Sequence, residues 1–181
     1  MKKTNLALGV LTVTTLVTGC SPGTANSYAT PKQICGIDVP PSVTEPLLPD
    51  GRGIEQYPRD FTTSPEARGG CIINVDKKLA LRIAVYRESG RIDVPELAQE
   101  GSLRLKNPEA AEIKNVSSAQ IAEDGALMTF PCRAHGKDYL IAEFAVGDRS
   151  WDRVSTKDQR KEIDAFVRSY VPGLIKAKCG G

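Results

Sequence analysis

The chain has one histidine, one tryptophan and two methionines in 181 residues, and aromatic side chains make up only 6% of it. These shortages narrow the chemistry. His135 alone cannot build a histidine-rich metal centre, and no two cysteines stand at the CxxC spacing used by zinc sites and dithiol catalysts. No GxSxG stands between a strand and a helix as a nucleophile elbow would, since the one such spacing, Gly19 to Gly23, spans the end of the apolar N-terminal run. The glycines of "DGRG" and "RGG" come without a phosphate-loop lysine or a strand–loop–helix dinucleotide pattern. Surplus basic charge is missing as well. The formal charge is +2, and past residue 19 the chain carries 22 basic against 22 acidic side chains, because the excess is Lys2 and Lys3. Nucleic-acid affinity rests on neutralising phosphates with extra Lys and Arg, so no nucleic-acid partner is expected.

What is present begins at the N-terminus. "MKK" followed by the uncharged "TNLALGVLTVTTLVTG" has the basic start, apolar run and small-residue end of a secretory signal peptide over residues 1–19. Asn5 and the threonines make the run too short and polar for a spanning helix, which takes about 20 apolar residues. "VTGC", Val17 to Cys20, resembles the lipobox of bacterial lipoproteins. That resemblance implies acylation of the Cys20 thiol, cleavage before it, and a domain lipid-anchored on the outer face of the cytoplasmic membrane. A thiol is the natural nucleophile for the thioether, and small neighbours fit a narrow protease subsite. The alternative is a plain signal peptide with Cys20 free or disulfide-paired. Residues 20–33 include "SPGTANSYATPKQ", which lacks an apolar period and reads as a flexible tether. About 13 such residues span roughly 20 Å.

Residues 34–181 read as one extracytoplasmic domain. Pro40, Pro41, Pro46 and Pro49 exclude a long opening helix and leave room for one turn over 41–48. "GIEQYPRDF" fits an edge strand, since Pro58 lacks a ladder donor. "CIINV" and "LALRIAVYRE" are two strands joined by the polar turn "DKK", with Leu79, Leu81, Ile83 and Val85 expected on one face. Pro95 and Gly101 bracket a short helix in "DVPELAQEGSL". Asp124-Gly125 predicts a hairpin turn of the type in which both central residues take positive φ. "DYLIAEFAVGD" supplies the next strand. The last element is a helix with Ser155 and Asp158 at its start, and Ile163, Phe166, Val167, Tyr170 and Leu174 on one face. Pro172-Gly173 is expected to kink or end it. The fold class is therefore α+β, an antiparallel meander packed by a long C-terminal helix.

With Cys20 given to lipid, Cys35, Cys71, Cys132 and Cys179 remain, and an even number in an exported chain favours two disulfides. Three connectivities are open. Cys35–Cys71 and Cys132–Cys179 are favoured, because they staple the opening segment to the central hairpin and the terminal helix to a strand.

Candidates for chemistry are few. His135 sits in the turn "CRAHGKD", where a histidine is usually solvent-facing, and Trp151 lies between alternating charges in "GDRSWDR". Trp151 could stack on a sugar or peptide, although such a residue more often covers the core beside a helix start. No catalytic set, metal site or cofactor follows from the sequence.

"CGIDVPPSVTEPLLPDG", "CIINVDKKLALRIAVY", "EDGALMTFPC" and the helix running to "AKCGG" are similar to small secreted lipoproteins of actinomycetes of unassigned function. Several of these have a PsbP-like α+β sandwich, which the resemblance implies here. The expectation is a non-catalytic, membrane-tethered domain that binds an envelope protein, a cell-wall component or a small molecule. The competing readings are a cell-envelope hydrolase using carboxylates and an accessory subunit of an envelope complex.

Overall fold

β-branched and aliphatic runs broken by turn residues build most of the chain into strands, and one long amphipathic stretch closes it as a helix. The structure, a computed structural model, describes residues 27–59, 68–90, 92–100, 104–132, 139–147 and 156–180. Cys20, His135, Asp148, Trp151, Asp152 and Ser155 lie outside the described residues.

A two-stranded ribbon opens the domain, β1 (Gln33–Ile34) and β2 (Ile37–Asp38), followed by α1 (Pro41–Thr44) and a 3-10 turn over Glu45–Leu47. The main sheet takes β3 (Ile54–Arg59), β4 (Arg68–Val75), β5 (Lys78–Glu88), β6 (Glu109–Ala110), β7 (Ser118–Ile121), β8 (Gly125–Pro131) and β9 (Tyr139–Val146). Their order is β3-β4-β5-β9-β8-β7-β6, antiparallel throughout, so two meanders meet at the β5–β9 seam. Helix α2 (Val94–Glu100) covers one face, and α3 (Thr156–Cys179) packs against the other together with the opening segment. The fold is α+β in one domain. β3 stands at the sheet edge, as Pro58 requires.

Three local features differ from the sequence reading. Turn geometry is the first: both central residues take positive φ at Cys35-Gly36 (48° and 82°) and at Asp76-Lys77 (48° and 66°), and Asp124-Gly125 is not among the positive-φ residues. Gly125 is needed for space instead, because a Cβ there would lie 2.1 Å from the Phe144 carbonyl oxygen. Asp76 gains the left-handed turn partly through its carboxylate, which accepts from the Arg52 and Gly53 amides at 3.0 Å. Strand parity is the second. Ile73 pairs with Leu81 but Asn74 pairs with Leu79, so Ala80 forms a bulge that turns Ala80 inward and leaves Leu79 exposed. Helix length is the third, since α3 runs through Pro172-Gly173 without ending. Pro172 lies on the exposed side, where water can hydrate the carbonyl it leaves unbonded. Gly173 fits against Ile37, whose Cγ2 would stand 2.5 Å from an added Cβ.

The core on the α3 side centres on Phe144, Phe166 and Tyr170, all essentially buried. Phe144 meets the two helix rings edge-on at 6.2 and 5.9 Å, and those rings stack at 5.3 Å. The Tyr170 hydroxyl donates to the Ile34 carbonyl at 3.2 Å, and burial pushes its pKa up, so it stays a donor.

Two disulfides hold the periphery. Cys35 bonds Cys71 and Cys132 bonds Cys179, the favoured pairing, with Cα atoms 6.0 and 5.1 Å apart. Their sequence separations of 36 and 47 make each worth on the order of 4 kcal/mol in the chain-entropy picture. Beside the second lies buried Arg87, whose guanidinium donates to Cys132 Sγ at 3.0 Å and to the Lys178 carbonyl in the last turn of α3. A cation there suits the negative end of the helix.

Thiol labelling of the denatured, unreduced protein is expected to find none of these four cysteines free, and any labelled one contradicts the pairing. Phe166→Ala is expected to destabilise the domain by about 3–5 kcal/mol in denaturant titration, because it removes one ring of a closed aromatic cluster.

Candidate functional site

Asp93 begins the side of the sheet away from α3. Its Oδ1 accepts from the Glu96 amide at 3.1 Å and caps α2, whose Val94 and Ala98 then bury against Leu127 and Ile141. Past that apolar patch the sheet changes character. Ser118 pairs directly with Thr129, and Tyr139 lies diagonally from Thr129 across β9. Strand alternation puts these three on the α2 face, since Ala119, Met128 and Leu140 belong to the α3-side core.

A cavity of about 630 Å³ opens between these strands and the start of α2. Its sheet wall is Ser117, Ser118, Thr129 and Tyr139, all carrying hydroxyls. The opposite wall is Ile92, Asp93, Val94 and Pro95. The volume falls within the range of about 300–1,000 Å³ common for small-molecule sites. Thr129 is only 3% exposed, and no hydrogen bond of its hydroxyl is found among the described residues. Its hydroxyl is not among the fully buried polar atoms left without a partner, so it is open to the cavity and can meet water or a ligand there. Glu143 lies deeper on the same face, 7% exposed, where it accepts from the Tyr86 hydroxyl at 2.8 Å and does not line the cavity.

A second concavity of about 610 Å³ lies between β6 and α3. It gathers Glu109, Glu112, Asp158, Asp164, Arg160, Lys161 and Arg168, the carboxylates a hydrolase would need. Its charges are largely engaged with one another. Arg160 pairs with Glu109 at 2.8 Å, and Arg168 grips Asp164 through both carboxylate oxygens at 2.9 and 2.8 Å. Arg160 and Arg168 also donate at 2.7 Å to the carbonyls of Asn107 and Glu112, which ties the 107–112 segment to the helix. This is a structural clasp. At its inner end Glu123 accepts from Asn107 Nδ2 at 2.9 Å and pairs with Lys106 at 3.1 Å. Those two hydrogen bonds hold the Glu123 pKa below its ordinary value, against the opposing effect of burial.

The chain matches no family model, no curated protein and no solved structure.

No group of three or more His, Cys, Asp or Glu side chains is arranged to hold a metal ion among the described residues. No helix there is long and apolar enough to cross a membrane. Of the residues singled out in the sequence, the four cysteines are placed together in pairs, and none of them is among the described residues that line the cavity. The hydroxyl wall was missed. Its one sequence signal is Thr129 in "GALMTFP", a polar side chain at the centre of a strand otherwise apolar on both faces.

The lowered Glu123 pKa has a definite acid signature. Its stabilising contribution is complete above the unfolded carboxylate pKa, and is lost as pH falls through the lower folded value. Thermal melts of the protein are expected to drop more steeply than those of Glu123→Gln between about pH 5 and pH 3. Parallel curves would remove Glu123 from the clasp.

Proposed function

We infer that this chain is a lipid-anchored extracytoplasmic protein whose domain binds a small ligand in the cavity between α2 and the sheet, without transforming it. The observation that carries the binding role is a cavity of about 630 Å³ walled on one side by Ser117, Ser118, Thr129 and Tyr139. Support for the address comes from "VTGC" followed by the tether, and from two disulfides, which persist in oxidising compartments. Ser27, Tyr28 and Gln33 are bonded into the domain, so about six residues after Cys20 would form the tether, and their span of roughly 14 Å would keep the domain beside the membrane surface.

The non-catalytic reading follows from what the two concavities offer. Among its described lining residues the hydroxyl-lined one presents a single carboxylate, Asp93, whose Oδ1 caps α2. Acid–base hydrolysis of a glycoside takes two carboxyl groups flanking the bond. In the charged one, Glu109 and Asp164 are neutralised by arginines that also brace the fold. The accessory-subunit reading can draw on two exposed large apolar side chains among the described residues, Tyr57 on β3 and Leu79 on β5.

Mass spectrometry of protein extracted from its native membrane is expected to show an N-terminal Cys20 carrying acyl chains. Cys20→Ser should lose all acyl incorporation and keep the uncleaved residues 1–19. A mature N-terminus elsewhere, or acyl chains still carried by the variant, would refute the anchor.

A further inference from the structure

We propose that the cavity takes an uncharged polyhydroxylated ligand, a saccharide unit without phosphate or carboxylate, which it holds between the hydroxyl wall and the apolar wall. This rests on the reading of the domain as a binding module and names its ligand class.

The argument starts from what the walls offer. A hydroxyl both donates and accepts, so Ser118, Thr129 and Tyr139 together match groups that do the same, the hydroxyls of a sugar. Neither Ser118 nor Thr129, paired across the strands, is found hydrogen-bonded through its side chain among the described residues. Their hydrogen-bonding capacity is therefore available. Asp93 adds an acceptor, because Oδ1 caps α2 and no partner of Oδ2 is found among the described residues. Facing them, Ile92 and Pro95 offer the aliphatic surface that the C–H face of a pyranose ring would cover. One wall matches the edge of a sugar ring and the other matches its face.

Other ligand classes fit less well. An anion would meet Asp93 and no basic side chain among the described lining residues. A peptide bound by strand addition would need free backbone donors and acceptors, yet the Ser117 amide donates to the Thr129 carbonyl at 2.8 Å and β7 is paired on both sides. A lipid chain would leave four hydroxyls desolvated against hydrocarbon.

The test titrates the full domain with a panel of neutral di- and trisaccharides built from common hexoses, pentoses and N-acetylhexosamines. Uronic acids, sugar phosphates, a tripeptide and a medium-chain fatty acid run beside them, with NMR shifts of Ser118, Thr129 and Tyr139 as the readout. Two variants accompany the protein, each checked for an unchanged fold by its melting temperature. Thr129→Val removes one hydroxyl at nearly constant volume, and Ser118→Trp fills the cavity.

At least one neutral saccharide should bind, at least tenfold more tightly than its uronic acid or phosphate counterpart. Thr129→Val should weaken it about tenfold or more, and Ser118→Trp should abolish it. Binding of only the peptide, the fatty acid or the anionic sugars, blocked by Ser118→Trp, overturns the ligand class and leaves the binding module standing. Saccharide binding that survives Ser118→Trp overturns the cavity as its site. No shift with any probe overturns the proposal together with the binding role on which it rests.

Discussion

The contact between Phe144 of β9 and the stacked Phe166–Tyr170 pair of α3 is where the three parts of the domain converge. Phe144 belongs to the seam between the two meanders, and Tyr170 reaches on to the Ile34 carbonyl in the opening ribbon. Each remaining tie on this side works at the margin of that contact. Arg87 and the Cys132–Cys179 bond fix the C-terminal end of the helix, while Arg160 and Arg168 clasp its N-terminal half to the 107–112 segment. The ends are held by polar and covalent ties, and the middle is held by burial.

This distribution explains why the opposite face is free to carry a site. The α3-side core takes the large side chains of β5, β8 and β9 and is closed by a helix of 24 residues. Helix α2 has seven residues and covers a smaller patch around Leu127 and Ile141. The sheet extends beyond it, and hydroxyl side chains occupy the uncovered positions. The cavity is the space that a short helix leaves on a wide sheet.

Much of the framework could be read from residue patterns. The fold class, the strands around Cys71, Leu81, Met128 and Phe144 and the terminal helix follow from periodicity and turn chemistry, and the observed cysteine pairing is the one favoured among the three that the cysteine count leaves open. The departures share one cause, namely that tertiary contacts decided what local preference could not. The bulge at Ala80 arises in the pairing of β4 with β5, so alternation within β5 alone put Leu79 inside. Asp124 stays out of the left-handed region because its carboxylate and carbonyl serve Lys106 and Val146, whose amides donate to them at 2.8 and 2.9 Å. Pro172 does not end α3, because the residues on either side of it are bound into the core. The cavity escaped notice for a further reason. Its residues come from four separate stretches, and no single one has a distinctive motif.

The disulfide pattern has a consequence for how such a chain could be made. The loops closed by Cys35–Cys71 and Cys132–Cys179 neither overlap nor nest, and each joins neighbours among the cysteines that follow residue 20. For a chain delivered N-terminus first into an oxidising space, pairing thiols in their order of arrival yields the native bonds. An oxidase acting in sequence is enough, and no reshuffling enzyme is required. The exception would be Cys20, which would arrive first and capture Cys35 if its sulfur were free. A lipid on that sulfur would therefore do more than hold the protein at a surface. It would keep the order of pairing correct.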